Sequence, residues 1–214
     1  MSLSESHIKF QKNGRYFTLG EPTDGKELLI ALHGYGYLAQ YFSRKFNAVD
    51  LDKYVVIIPE GLHRFYHSGT SGRVGASWMT KEDRLSDIED YITFLDTLLT
   101  HLKSEFSFKS VTLLGFSQGG ATASRWLAYG SHNFDKFILW ATVFPPDMEK
   151  SYTQRFNQSA NYFIFGTKDE YYSQEIVNEH FGEMKKMQLN FQMLTFEGRH
   201  DIHPETLNAV LENE

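Results

Sequence analysis

The stretch that decides the fold is Val111-Thr112-Leu113-Leu114-Gly115-Phe116-Ser117-Gln118-Gly119-Gly120, followed by Ala121-Thr122-Ala123-Ser124-Arg125-Trp126-Leu127. Its first residues are apolar or β-branched and predict a buried strand, whereas the residues after Gly120 are compatible with a helix. A Gly-x-Ser-x-Gly run between a strand and a helix places its serine in a sharp turn that exposes the hydroxyl. We therefore expect Ser117 to be a nucleophile in a strained turn, with the backbone N–H of Gln118 opening the helix.

Short apolar runs alternate with longer helical stretches along the rest of the chain. Strands are predicted at 16–19, 27–32, 54–59, 111–116, 136–141, 161–165 and 190–196, and helices at 82–103, 118–129, 173–187 and from 203 to the end. The first helix is expected to bury Leu85 with the apolar residues that follow at helical spacing, and the third to bury Ile176 and Val177. This alternation predicts one α/β domain over residues 1–214, with a mostly parallel central sheet and helices on both faces. Active sites in such sheets lie at the carboxyl ends of the strands.

Composition argues against several kinds of site and partner. The 214 residues carry a net charge of -6 without any block of like charges, so nucleic acid is not an expected partner. The absence of cysteine excludes disulfides, thiolate metal sites and a cysteine nucleophile. His63 and His67 have a metal-ligand spacing, but the glycines around them argue against a helix, and we expect neither a metal nor a cofactor. The sequence shows no membrane span or secretory signal and predicts a cytoplasmic protein, while its oligomeric state stays open.

A serine nucleophile needs a histidine base, and the base needs a partner that fixes its tautomer. The order along the chain in this architecture is serine, acid, histidine. His200 directly follows the last predicted strand and is the candidate base, with His203 as the alternative. Asp169 follows the penultimate strand and is the candidate acid. Its alternatives are Glu170, Asp201 and Asp147.

The loop after the strand at 27–32 reads His33-Gly34-Tyr35-Gly36 and is expected to supply a second oxyanion donor. The backbone N–H of Tyr35 is the first candidate and that of Gly34 the second, beside the N–H of Gln118. We expect His33 to be a structural residue that holds this loop in place. Aromatic and basic residues of the following loops are expected to line a substrate pocket, with ordinary loop packing as the alternative; they are Arg64, Tyr66, Trp78 and Phe144.

Four segments together resemble the phospholipase/carboxylesterase family of α/β-hydrolases, which includes acyl-protein thioesterases: Leu32-His33-Gly34-Tyr35-Gly36, Gly115-Phe116-Ser117-Gln118-Gly119-Gly120, Gly166-Thr167-Lys168-Asp169 and Gly198-Arg199-His200-Asp201-Ile202. The resemblance runs from about Leu28 to Leu211 and implies an α/β-hydrolase fold with minimal or no lid domain. It also implies a serine carboxylesterase for small or acyl ester or thioester substrates. Ser117, Asp169 and His200 would be its catalytic triad, and the amides of Tyr35 and Gln118 its oxyanion hole.

The chain departs from this family at two places. Members commonly have an aspartate soon after the His-Gly loop and a proline after the triad acid. Here those segments read Tyr35-Gly36-Tyr37-Leu38 and Asp169-Glu170-Tyr171-Tyr172. The differences leave the substrate open. Two other functions also remain open at this point, namely ligand binding without catalysis and the hydrolysis of amides or peptides.

Overall fold

The structure is a computed structural model that describes residues 3–213, and these contain nine strands. The strands are β1 (Tyr16–Leu19), β2 (Glu27–Leu32), β3 (Tyr54–Pro59), β4 (His63–Tyr66), β5 (Val74–Ser77), β6 (Val111–Phe116), β7 (Lys136–Trp140), β8 (Ala160–Gly166) and β9 (Phe191–Phe196). Seven of them form one sheet in the order β1-β3-β2-β6-β7-β8-β9. Its neighbours are parallel except for β1, which runs antiparallel to β3. The predicted mostly parallel sheet is confirmed.

The helices lie in the connections between these strands. They are α1 (Ala39–Phe42), α2 (Arg84–Glu105), α3 (Gln118–Tyr129), α4 (Thr153–Phe156), α5 (Gln174–Lys186) and α6 (Pro204–Glu212), with short 3-10 turns at Ser43–Phe46 and Lys150–Tyr152. No helix within residues 3–213 combines the length and the apolar character that crossing a membrane would require.

Successive residues of β2 face opposite sides of the sheet, as strand geometry requires. Leu28 and Ile30 belong to the core that contains α2, α3 and α5, whereas Leu29 and Ala31 belong to the core that contains α1 and α6. All four side chains are fully buried. Because both faces of the sheet are covered, its central strands are continuously apolar.

Two predictions about the inner faces of helices are wrong. Leu85 is 74% exposed, because it lies in the first turn of α2, before the buried face begins at Ile88. Ile176 is 40% exposed, because Val177 takes the inward position together with Met184 seven residues later. The two buried residues are two helical turns apart, and Ile176 is rotated away from them.

Strands β4 and β5 form a separate antiparallel hairpin that the sequence did not predict. His63 pairs with Ser77 at its open end, and Tyr66 pairs with Val74 near its tip. The segment is rich in glycine, which is typical of a loop, and its strands are too short, at four residues each, to give a clear strand pattern. The hairpin lies against the loop that follows β2, which brings it to the candidate site.

Candidate active site

Ser117 occupies the sharp turn between β6 and α3. Its backbone has a φ of 53° and a ψ of -121°, which is rare for a residue with a side chain. The turn is held from both sides, since the N–H of Ser117 donates to the carbonyl of Trp140 (3.0 Å) and its carbonyl accepts from Gly120 (2.9 Å). A strained backbone of this kind costs on the order of 1–3 kcal/mol and is typical of active sites.

Gly119 allows the turn to pass close to the end of β2. A Cβ atom at this position would lie 2.2 Å from the carbonyl oxygen of Leu32 and 2.7 Å from that of His33. Neither contact is possible for a side chain, because both neighbours are backbone atoms. Gly34 approaches from the other direction, where a Cβ would lie 3.1 Å from the Cβ of Ser117. The loop after β2 therefore lies directly beside the serine.

Asp169 and His200 come together at the carboxyl ends of β8 and β9. Oδ2 of Asp169 lies 2.7 Å from Nδ1 of His200, and the carboxylate is fully buried. The ring of Phe116, the residue before Ser117, lies 4.9 Å from the imidazole between ring centroids. The imidazole is thus located beside the serine turn, with its Nδ1 bound to a carboxylate. This is the relation that a general base and its orienting acid require.

The alternative base and acids have other partners. His203 precedes α6, stacks on Phe196 (5.0 Å) and bonds to Oγ1 of Thr206 (2.9 Å), which is a helix-entry role. The three other carboxylates are bound elsewhere: Glu170 to the backbone N–H of His200 (3.2 Å), Asp201 to Nζ of Lys45 (2.6 Å), and Asp147 to the guanidinium groups of Arg84 (2.6 Å) and Arg125 (2.8 Å).

Three backbone amides near Ser117 have no hydrogen-bond acceptor among residues 3–213, namely those of Gly34, Tyr35 and Gln118. Gln118 is the first residue of α3, where the helix dipole also favours negative charge. The structure therefore keeps both candidate donors available, with Gly34 still the alternative to Tyr35.

His33 is a buried structural residue of this loop. Its Nε2 accepts the N–H of Gly61 (2.9 Å), and its Nδ1 bonds to the carbonyl of Gly34 (2.8 Å). Burial lowers the pKa of His33 from 6.5 to about 4, against the opposing effects of the Gly34 carbonyl and Glu60. The imidazole is consequently neutral at physiological pH, as its acceptor role at Nε2 requires.

Comparison with known proteins identifies the family of the chain. The family described as Serine hydrolase (FSH1) matches residues 24–210, which is most of the chain. The chain belongs to the FSH1 serine hydrolase family. No curated protein sequence matches it.

Solved structures show how widely the fold of this FSH1 serine hydrolase is shared. Acyl-protein thioesterase 2 of Zea mays is 17% identical with a TM-score of 0.71, over 92% of this chain and 96% of that chain. Esterase PE8 is 18% identical with a TM-score of 0.67, over 94% and 98%. The carboxylesterase of Bacillus cereus is 16% identical with a TM-score of 0.63, over 92% and 91%. At these identities the likeness concerns the fold, which is that of an α/β-hydrolase.

The side chain of Gln118 joins the Ser117 turn of the FSH1 serine hydrolase to the end of its hairpin. Its Oε1 accepts the N–H of Trp78 (3.1 Å), and its Nε2 donates to the carbonyl of Met79 (2.9 Å). Nε1 of Trp78 in turn donates to the carbonyl of His33 (2.9 Å). Sequence reasoning assigned Gln118 only a backbone role and missed this connection. The polar side chain that directly follows the nucleophile was the signal that could have revealed it.

The hairpin also binds the loop after β2 directly. The N–H of Gly36 donates to the carbonyl of Ala76 (2.9 Å), and the N–H of Ala76 donates to Tyr37 (3.2 Å). Nε2 of His67 lies 3.0 Å from the carbonyl oxygen of Gly36. The position of the Tyr35 amide is therefore set by contacts with a part of the chain about forty residues further on.

Two of the four predicted pocket residues are buried. Trp78 is fully buried and Phe144 is buried against Phe156, so neither presents a surface to a substrate. Nε of Arg64 donates to the buried carboxylate of Glu60 (2.7 Å). Burial raises the pKa of Glu60, but the hydrogen bonds from Arg64 and Arg15 together have a larger effect in the opposite direction. The pKa of Glu60 therefore lies below its ordinary value. Arg64 and Tyr66, both partly exposed on β4, stay predictions as pocket residues.

Proposed function

We propose that this FSH1 serine hydrolase cleaves carboxylic esters, thioesters included, of small or acyl substrates through an acyl-enzyme on Ser117. The observation that carries the proposal is the 2.7 Å contact between Asp169 and His200, next to a serine with strained backbone dihedral angles. A serine hydroxyl is a weak nucleophile at neutral pH unless a base accepts its proton. The imidazole is the group that can do so here.

In the first half of the reaction, Oγ of Ser117 attacks the carbonyl carbon while Nε2 of His200 takes its proton. The negative charge that develops on the carbonyl oxygen is bound by the amides of Tyr35 and Gln118, and the loss of one such donor typically costs about 10²–10³ in rate. His200 then gives the proton to the departing alcohol or thiol, which leaves an ester on Ser117.

In the second half, water takes the place of the alcohol. His200 removes a proton from the water as it attacks the acyl carbon, and it returns this proton to Oγ of Ser117 as the acid departs. Asp169 keeps the proton of His200 on Nδ1 throughout, so that Nε2 faces the reaction, and it stabilises the imidazolium. Its buried carboxylate also accepts the backbone amides of Tyr171 (2.8 Å) and Tyr172 (3.1 Å), which hold it in place.

A fluorophosphonate probe tests the nucleophile. The wild-type protein should be labelled at Ser117 and should release nitrophenol from nitrophenyl acetate with an initial burst. Ser117→Ala should lose both, whereas Ser131→Ala, which changes an exposed serine beyond the end of α3, should lose neither. Folded wild-type protein that shows neither labelling nor burst would refute the proposal. Ligand binding that survives Ser117→Ala, without turnover of any ester or thioester, would instead favour a binding protein.

A further inference from the structure

Tyr171 places an exposed aromatic ring against the candidate base. Its side chain is 69% exposed, yet its ring centroid lies 4.7 Å from that of His200, with the two rings inclined at 63°. Phe116 and Tyr172 also flank the imidazole, at 4.9 and 6.0 Å. These surroundings leave the side chain of His200 only 10% exposed. Of the three rings, that of Tyr171 is the one with most of its surface still in solvent.

The backbone of Tyr171 is fastened to the same carboxylate that orients the imidazole. Oδ1 of Asp169 accepts the N–H of Tyr171, while Oδ2 binds His200. Two hydrogen bonds to one buried group thus fix both residues. The ring does not depend on core packing for this position, because the main chain that carries it is held by Asp169.

The leaving group must pass close to this ring. In the proposed reaction His200 protonates the departing oxygen or sulfur, so that this atom comes within about 2.6–3.2 Å of the imidazole. The substituent on that atom then lies beside the imidazole, and Tyr171 carries the most exposed of the rings that contact this imidazole. Aromatic rings pair with one another in stacked or edge-to-face arrangements that aliphatic groups of equal size do not form.

We propose, on the basis of the function proposed above, that Tyr171 determines specificity for the leaving group and favours esters and thioesters of planar, aromatic alcohols and thiols. The segment that follows the candidate acid reads Asp169-Glu170-Tyr171-Tyr172. Two consecutive tyrosines occupy the space beside the base, with their amides on Asp169.

Three acetate esters test this proposal, because they share one acyl group and differ in the alcohol. They are benzyl, cyclohexylmethyl and ethyl acetate. The benzyl and cyclohexylmethyl groups have similar size, but only the benzyl ring is planar. Ethyl acetate measures the rate of ester hydrolysis without a large alcohol group. Wild-type enzyme should prefer benzyl over cyclohexylmethyl acetate in kcat/KM. In Tyr171→Ala this selectivity ratio should fall about three- to tenfold, the size expected for one aromatic pair. Tyr171→Phe should retain the ratio, since the ring and not the hydroxyl makes the contact.

Tyr129→Ala is the matched control and should leave the ratio unchanged. Tyr129 is also a partly exposed tyrosine, but it ends α3 and is separated from Ser117 by the full length of that helix, about 18 Å. An unchanged ratio in Tyr171→Ala, with all three esters hydrolysed, would overturn the role of Tyr171 and leave the esterase proposal standing. An equal loss for all three esters would also overturn it, because this would indicate that Tyr171 positions His200. Absence of turnover by the wild-type protein on every ester would overturn both proposals.

Discussion

The buried imidazole of His33 should make the protein less stable as the pH falls from 7 to 5. Its side chain is fully buried between the rings of Phe42 and Trp78, and its Nε2 accepts a hydrogen bond from Gly61. A proton on Nε2 would remove that acceptor and place a charge in an apolar environment. Burial accordingly lowers the pKa of His33 to about 4 in the folded protein.

The direction of the effect follows from the two pKa values. The unfolded chain takes up a proton near pH 6.5 and the folded one only near pH 4, so between these values the unfolded state binds more protons. The stabilising contribution is therefore fully present above about pH 6.5 and is lost as the pH falls toward 4. Between pH 7 and pH 5 this loss amounts to about 2 kcal/mol of the free energy of unfolding.

Urea unfolding, followed by tryptophan fluorescence at both pH values, measures this loss. His33→Gln keeps an acceptor for Gly61 but does not titrate, and it should lose about 2 kcal/mol less than the wild type between pH 7 and pH 5. Carboxylates that titrate in both proteins cancel in this difference. His101→Gln changes a histidine on the exposed side of α2 and should behave as the wild type does. Equal losses in wild type and His33→Gln would refute the reasoning.

Two substitutions test the contacts that surround Ser117. Gly119→Ala would place a methyl group 2.2 Å from the carbonyl oxygen of Leu32. It should reduce ester turnover more than about 100-fold, since it displaces the turn and the neighbouring amide donor, and wild-type activity in this variant would contradict the tight packing described here. Trp78→Phe keeps an aromatic ring, but it removes the donor to the carbonyl of His33 and part of a fully buried indole. Urea unfolding should show a loss of more than about 1 kcal/mol, since a lost hydrogen bond and a cavity both contribute, with a lower kcat, and a variant as stable as the wild type would contradict this packing.

The sheet could be predicted closely from the sequence. The strands β1, β2, β3 and β6 have the predicted bounds, β7 and β9 differ by one residue at one end, and β8 differs by one residue at each end. Their apolar runs are continuous because both faces are buried, and such a run has few other interpretations when it alternates with helices. The turn at Ser117 could be predicted equally well, since a strand, a glycine-flanked serine and a helix follow one another within twenty residues.

The pocket and the hairpin could not be predicted in the same way, because their contacts are made between distant parts of the chain. Trp78 has the size and polarity of a pocket residue, and nothing in the sequence reveals that its Nε1 binds the carbonyl of His33. The partner of Arg64, Glu60, is only four residues away, but the sequence does not reveal that this carboxylate is buried. A residue type tells which contacts a side chain can make, whereas the tertiary fold decides which of them it makes.

Gln118 shows why the candidate oxyanion donors depend on that tertiary fold. Its N–H has no acceptor among residues 3–213, while its side chain holds the end of the hairpin through Trp78 and Met79. The hairpin in turn binds the loop that carries Tyr35, through the backbone of Ala76. The two amides are therefore linked through the hairpin, although they lie more than eighty residues apart in sequence. Because oxyanion stabilisation depends on donors that are already in position before the charge develops, the hairpin is as much a part of the proposed catalytic apparatus as the motif around Ser117.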